Sequence, residues 1–320
     1  MRIWLALISS LLTLAASPSN CAEFYPAKPV KIVVPFAPGG GNDFIARFMA
    51  QRLSTAFGQQ FLVENKPGAG GLIGVEAGLK SAPDGYTLTL IPSAYTAFPS
   101  LYKLKFDPVG DIAPIMEISR YPLLIVVHPR IAVKTAADLI ALAKGQPGKL
   151  NFASPGQGST IHLAAELFAS MAGIKMNHVP YKGSGPALTD TIGGQVDLYF
   201  SSIPPAMPHV KAGRLRAIAI TAKERFPTAQ DIPTVAESGL PGYNLVLWYG
   251  LAGPKGLPRR IVERINAELM TILKANETVE RFQNDGLLPS GGTAEQFLAT
   301  IEEQISFWRK VVNDLGVRVD

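Results

Sequence analysis

The stretch VVPFAPGGGNDFIARFMAQRL (33–53) sets the architecture of the chain. Its lead-in, KIVVP (31–35), reads as a short buried strand: β-branched residues closed by a proline. Three glycines follow. Beyond Asp43, Phe44, Ile45, Phe48, Met49, Leu53 and Phe57 fall at helical spacing with one apolar face. Asn42 or Asp43 is the expected N-cap, because a side-chain oxygen there accepts from the first free amides. Strand, glycine turn and helix in this order put the amides of Gly40, Gly41, Asn42 and Asp43 in front of the helix, where free N–H groups and the helix dipole favour an anion. The turn is not a P-loop, which needs Gly-x-x-x-x-Gly-Lys-Ser/Thr. Nor is it Gly-x-Gly-x-x-Gly, since Phe44 stands five residues after Gly39. It contains no lysine, and Asp43 would repel a phosphate, so a small carboxylate held partly by backbone suits it better. A tight βα turn with no ligand is the competing reading, as such turns are common in α/β folds.

The same pattern recurs outward. QFLVE (60–64) reads as a strand, and Gly68-Ala69-Gly70-Gly71 leads into a second helix ending near Lys80. Asp84-Gly85 turns into the strand YTLTLI (86–91), with Ser93 and Tyr95 at its C-terminal end, where ligands of open α/β sheets sit. PLLIVVH (122–128) is a buried strand, and Thr135 can cap a helix over 136–144. Next come a strand (150–153), a turn (154–159) and a helix (160–172) that repeat the opening theme. A strand over 178–181, the turn Lys182-Gly183-Ser184-Gly185, a helix with Pro186 at its first position and closed by Gly193-Gly194, and a strand over 196–200 follow. RAIAI (216–220) and LVLWYGLAGP (245–254) are strands, and helices fill 258–275, 278–285 and 293–313. Strand–helix alternation predicts parallel sheets with helices on both faces.

The 320 residues, 47% hydrophobic and 17% charged, describe a globular chain long enough for two domains. Arg2, an apolar stretch to about Ala16 and small residues after it form a signal peptide (1–22), with cleavage after Ala22 or Ser19. Pro18-Ser19-Asn20 is a poor lipobox for Cys21, the single cysteine. Cleavage after Ala22 leaves no thiol for a disulfide or metal site. The formal charge is +5, or +4 without Arg2, with no basic run or aromatic-interleaved stripe, so nucleic acid is not an expected partner.

Five blocks, YPAKPVKIVVPFAPGGGNDFIAR (25–47), VENKPGAGGLIGVEAGLKSAPDGYTLTL (63–90), NFASPGQGSTIHLAAELF (151–168), VPYKGSGPALTDTIGGQVDLYFSS (179–202) and IPTVAESGLPGYNLVLWYGLAGPKGLP (232–258), carry a resemblance over nearly the whole mature chain. In this order they resemble the extracytoplasmic solute-binding subunits of tripartite tricarboxylate transporters, the Bug or TctC-like proteins of bacteria. The resemblance implies an α/β, type II periplasmic-binding-protein fold, with two Rossmann-like lobes, a two-crossing hinge and the ligand between them. Lobe 1 would hold 24–124 plus 247–320, lobe 2 would hold 125–246, and the hinge would lie at 121–124 and 245–248. In this family one loop from each lobe grips a carboxylate, largely through amides and ordered waters. The first loop maps to 38–43 (Pro38, Gly40, Gly41, Asn42, Asp43) and the second to 182–187 (Lys182, Gly183, Ser184, Ala187). Ser93 and the 156–160 turn, with Gly158, Ser159 and Thr160, would line the same cleft. The family often has Ser or Thr where Asn42 stands; Asn42 still donates but is bulkier. The implied role is a periplasmic, monomeric receptor that delivers a dicarboxylate, tricarboxylate, acidic amino acid or aromatic acid to membrane transporter subunits.

Enzyme chemistry is poorly supported. His128, His162, His178 and His209 form no His-Glu-x-x-His motif, and His162 alone stands near a glycine turn. Gly156-Gln157-Gly158-Ser159-Thr160 has its serine in the wrong place for a nucleophile elbow. Ser154, Ser159 and Ser184 are better read as donors, and Glu166 as a solvated helix residue. No catalytic residue, metal or cofactor is expected. Asp43 either caps its helix or accepts from a ligand amino group. Lys182 either pairs with a carboxylate or projects to solvent. Phe36, Tyr95, Tyr181, Phe200 and Trp248 are core or cleft wall, with Phe36 and Phe200 at strand ends favoured for the wall. An exported α/β hydrolase and a sensor co-receptor are the alternatives to a transport receptor.

Overall fold

The computed structural model describes residues 25–316, so the signal peptide, its two cleavage positions and Cys21 lie outside the described residues. Among the described residues, no helix is long and apolar enough to cross a membrane.

The chain opens with β1 (Val30–Val34), α1 (Gly41–Phe57), β2 (Phe61–Asn65), α2 (Leu72–Leu79), β3 (Thr87–Pro92) and the single turn α3 (Phe98–Leu101). The long β4 (Ile112–Val127) leads into α4 (Ala136–Gly145), β5 (Asn151–Ser154), α5 (Thr160–Ala172), β6 (Asn177–Pro180), α6 (Ser184–Ile192), β7 (Leu198–Ser202), α7 (Ile203–Lys211) and β8 (Arg216–Ile220). Then come β9 (Val246–Pro254), α8 (Arg259–Lys274), α9 (Asn276–Asn284), the two-residue β10 (Leu288–Pro289) and α10 (Ala294–Leu315). β1 is buried at four of its five positions because helices cover both faces of its sheet. α1 lays Ile45, Ala46, Met49, Ala50 and Leu53 against β1 and β2 at the i, i+4 spacing of one helix face.

The strands pair in two sets that share β4. The first runs β2-β1-β3-β9-β4, with β10 on the far side of β4; the second runs β6-β5-β7-β4, with β8 on its far side. The order is the same in each: two parallel neighbours flank the first strand, and an antiparallel strand brought from the other half completes the row. Within β4, 112–122 pairs with β9, and 123–127 pairs with β7 and β8. The chain thus passes between the sets at Pro122-Leu123 and again at the start of β9. Thr221 joins the two passages. Its Oγ1 accepts from Leu123 N (2.7 Å) and donates to Leu245 O (2.8 Å), while its carbonyl accepts from Leu245 N (2.8 Å).

Several expectations change. The sheets are mixed and not wholly parallel, because β4 and β9 cross between the sets and run antiparallel to their neighbours. Helix α6 starts at Ser184, so Pro186 is its third residue and not its first, and the strand expected over 196–200 lies at Leu198–Ser202. Helix α1 starts at Gly41 with Gly40 as its N-cap and no side-chain cap, so neither Asn42 nor Asp43 caps it. Extended backbone at Gly40 starts the helix without a side-chain acceptor, and Asp43 falls in the first turn instead. The strand expected over 122–128 begins ten residues earlier; Pro114, which has no N–H to give, sits at a register shift against β9. Helix α7 falls where no element was expected, and its segment IPPAMPHVK holds three prolines. Pro204 and Pro205 occupy its first turn, where no intrahelical N–H is needed.

Candidate functional site

The C-terminal ends of β1, β3, β5 and β7 face one another across the two sets, and the segments leaving them enclose a cavity. Phe36, Asn42, Pro92, Tyr121, Pro155, Ser159, Thr160, Ile161, Ser184, Ser202 and Tyr249 line it. Four helices begin on this wall: α1 through Asn42, α5 through Ser159 to Ile161, α6 through Ser184, and α7 through its N-cap Ser202. The first amides of a helix have no intrahelical acceptor and carry its positive end, so α1 and α5 turn neutral donors toward the cavity; α6 and α7 contribute their positive ends with fewer free N–H groups, because Pro186, Pro204 and Pro205 have none. Among the described residues, no lining side chain is charged. The cavity is small, about 10 Å³, the scale of a single water site. Asn42 is buried, and its Oδ1 has no hydrogen-bond partner among the described residues.

The first loop is braced from behind. Asp43 Oδ2 accepts from Gly39 N (3.2 Å) and Arg47 Nε (2.9 Å), and Asp43 Oδ1 accepts from Asn65 Nδ2 (3.0 Å). Asn65 Nδ2 also donates to Phe36 O (2.9 Å). Burial alone would raise the Asp43 carboxyl, but the hydrogen bonds from Arg47, Asn65 and Gly39 outweigh it and hold its pKa below the ordinary value.

The 154–159 turn is braced by a buried stack. Ser154 Oγ accepts from Gly156 N (3.1 Å) and lies 2.6 Å from His178 Nε2. His162 Nδ1 accepts from Gly158 N (3.2 Å), and Ser159 Oγ caps α5 by accepting from His162 N (3.2 Å). The His162 and His178 rings stack at 3.9 Å, with Phe152 against His178 at 5.0 Å. Burial, with the neighbouring His162, pushes the His178 pKa down to about 3, so the imidazole is neutral. The Ser154–His178 pair is therefore a strut; Ser154 is fully buried behind its own turn.

The loops meet across a glycine seam. Gly183 has φ +145°, which an L side chain rarely adopts, and a Cβ there would come within 2.7 Å of Ala37 Cβ. A Cβ on Gly41 would overlap the Tyr249 hydroxyl and Ser202 Oγ. Below the seam, the rings of Tyr121 and Tyr249 stack at 4.4 Å, and burial raises both phenols.

A family model described as the tripartite tricarboxylate transporter family receptor matches residues 45–317. The chain belongs to this family. Three solved structures of similar proteins share its α/β periplasmic-binding-protein fold. R. palustris Rpa4515 with adipate is 34% identical, with a TM-score of 0.89 over 92% of this chain and all of its own. The periplasmic binding protein BugD is 31% identical, with a TM-score of 0.89 over the same shares. MatC from Rhodopseudomonas palustris with bound malate is 31% identical, with a TM-score of 0.85 over 90% of this chain and all of its own. A tripartite-transporter receptor is a binding protein and not an enzyme, in keeping with the Ser154–His178 strut.

In this receptor the cavity gathers Phe36, Asn42, Ser159, Thr160 and Ser184 of the sequence-derived candidates. Gly40, Gly41 and Gly183 form the seam, and a Cβ on Gly185 would crowd Pro38 O. Ser93 lies beside the Tyr121 hydroxyl. The others stand elsewhere. Tyr95 is buried in the core, donates to Pro108 O (2.6 Å) and stacks on Phe106. Phe200 is fully buried against Phe168, because the inward face of β7 points into the sheet–helix layer. Asp43 faces away behind its loop, so it does not await a ligand amino group. Ala187 is buried in α6, Ser154 and Gly158 belong to the braced turn, and Lys182 is exposed outside the cavity. His162 braces the turn and does not line the cavity. Sequence reasoning missed Tyr121, Tyr249 and Ser202. Ser202 ends a strand in a quoted block; Tyr121 stands at one expected chain crossing and Tyr249 one residue past the other, the one signal that pointed to them.

Proposed function

We propose that this chain is a periplasmic receptor that captures a small organic carboxylate between two lobes and hands it to the membrane subunits of a tripartite transporter, acting as a monomer after removal of residues 1–22. The lobes are 24–124 plus 247–320 and 125–246, hinged at the two chain passages. The observation that carries the reading is the convergence of four helix N-termini on a cavity lined only by uncharged side chains. A buried carboxylate needs donors to replace its lost waters, and fixed amides and hydroxyls supply them without a full counter-charge. Pro38, Gly40, Gly41, Asn42, Ser159, Thr160, Gly183 and Ser184 are the contacts proposed from the earlier set, joined by Tyr121, Ser202 and Tyr249. The small cavity and the touching loops correspond to a closed arrangement, so entry requires the lobes to part about the hinge. That the similar proteins were solved with adipate and with malate supports a dicarboxylate here.

The test is a thermal-shift series on refolded, ligand-free mature protein with organic acids and their amides. A ligand that binds only the native state raises the melting temperature by mass action. Stabilisation by acids but not by amides is expected; no shift across C3–C8 mono- and dicarboxylates, tricarboxylates, acidic amino acids and aromatic acids refutes the carboxylate reading.

A further inference from the structure

A second space adjoins the small cavity. A second chamber of about 300 Å³ lies between the 68–70 turn and Tyr102 on one side and 155–157 and 180–182 on the other. Pro155 lines both spaces, so they share a wall. A larger groove of about 850 Å³ between α1, α7 and α9 shares no lining residue with the cavity. Its arginines are also engaged: Arg47 with Asp43, Arg52 with Glu277 and Arg281 with Asp285. In the second chamber the hydroxyls are committed, Tyr102 to Ala69 O and Gln157 O (3.1 Å each) and Tyr181 to Asp190 Oδ2 (2.8 Å). Lys182 is the one charged side chain on its lining, and it forms no ion pair among the described residues.

We propose that the second chamber is a distal subsite for the far acidic group of an extended dicarboxylate, with Lys182 as its counter-charge. This rests on the carboxylate reading of the inner cavity. With one carboxylate among the helix N-termini, the proposed path for the rest of the molecule runs beside Pro155, the residue common to both linings. A second carboxylate emerging there meets the free ammonium. A methyl group at the same place gains nothing from Lys182. The ligand class is therefore a dicarboxylate long enough to pass Pro155, preferred over the monocarboxylate of equal chain length.

The experiment measures dissociation constants of the mature protein by calorimetry for three pairs: succinate and butyrate, adipate and hexanoate, suberate and octanoate. A partly exposed ion pair changes binding by up to about fivefold. In the longer pairs, the wild-type preference for the diacid is expected to fall by about that factor in Lys182→Met, to persist in Lys182→Arg, and to weaken with added salt. If the preference is the same in wild type and Lys182→Met, the distal subsite is refuted while the inner site stands. If the wild type binds neither member of any pair, and no other carboxylate either, the inner-site reading falls and takes the subsite with it.

Discussion

Gly40→Ala isolates the seam between the loops. Gly40 has φ −98° and ψ 177°, extended backbone that alanine adopts freely, so the substitution strains nothing within its own loop. The added Cβ would come within 2.6 Å of Ser184 Cβ and 3.1 Å of Ser184 Oγ, atoms contributed by the opposite strand set. The overlap exists only when the sets are closed on each other. Overpacking of this kind costs about 1–3 kcal/mol, which corresponds to about a 5- to 150-fold weaker affinity for a ligand that binds the closed arrangement. The ligand-free melting temperature should change little. Calorimetric titration with the acid that stabilises the protein best reads the loss, and a double-mutant cycle with Ser184→Gly assigns it. Gly40→Ala should cost far less when residue 184 has no Cβ, although Ser184→Gly alone weakens binding by removing a lining hydroxyl. Wild-type affinity in Gly40→Ala, or equal losses in both backgrounds, would refute closure through this contact.

Two further predictions concern the braces. The Asp43 carboxyl has a lowered pKa in the folded protein, so its stabilisation is present above the unfolded pKa and is lost as pH falls through the folded one. Asp43→Asn should therefore cost about 1 kcal/mol in urea unfolding at pH 7, with the difference from wild type shrinking as pH falls below the ordinary Asp value of about 3.9. His178 has a linkage of the same sign in a higher pH window, because its folded pKa is also depressed. Its folded pKa is pushed down to about 3, so the unfolded chain takes up a proton that the folded chain refuses, and stability falls as pH drops from about 7 toward 3. His178→Asn should flatten that part of the urea-midpoint profile, and an unaltered slope would contradict the buried neutral imidazole.

The alternation of strands and glycine-led helices was readable because each βα unit is written locally. Helix α5 falls at Thr160–Ala172, as its pattern predicts, and β8 at Arg216–Ile220 likewise. The start of α1 was not readable, because Gly40 caps with backbone alone and leaves no side-chain signature. The chain's most polar-looking cleft residue, Asp43, turned out to serve its own loop, since Arg47 and Asn65 reach it from a later turn and from β2. Phe200 misled because the strand was expected to end there, whereas β7 runs on to Ser202 and leaves Phe200 in mid-strand, packed on Phe168. Tyr121 and Tyr249 meet only through tertiary pairing of β4 with β9, which no local pattern encodes.

The uncharged lining of the cavity bears on unloading. A ligand clamped by a buried lysine or arginine would take its counter-ion's attraction with it through every stage of opening, and a recipient would have to outcompete that ion. On the proposed reading, the attraction on the inner carboxylate is assembled instead from partial charges on helices of both strand sets, α1 on one and α5, α6 and α7 on the other, and the only full counter-charge is the exposed Lys182 at the far end. Drawing the sets apart disperses the field and lets water reach the anion. The grip exists as an alignment of the two halves, so a membrane partner that only pries them open also discharges the cargo.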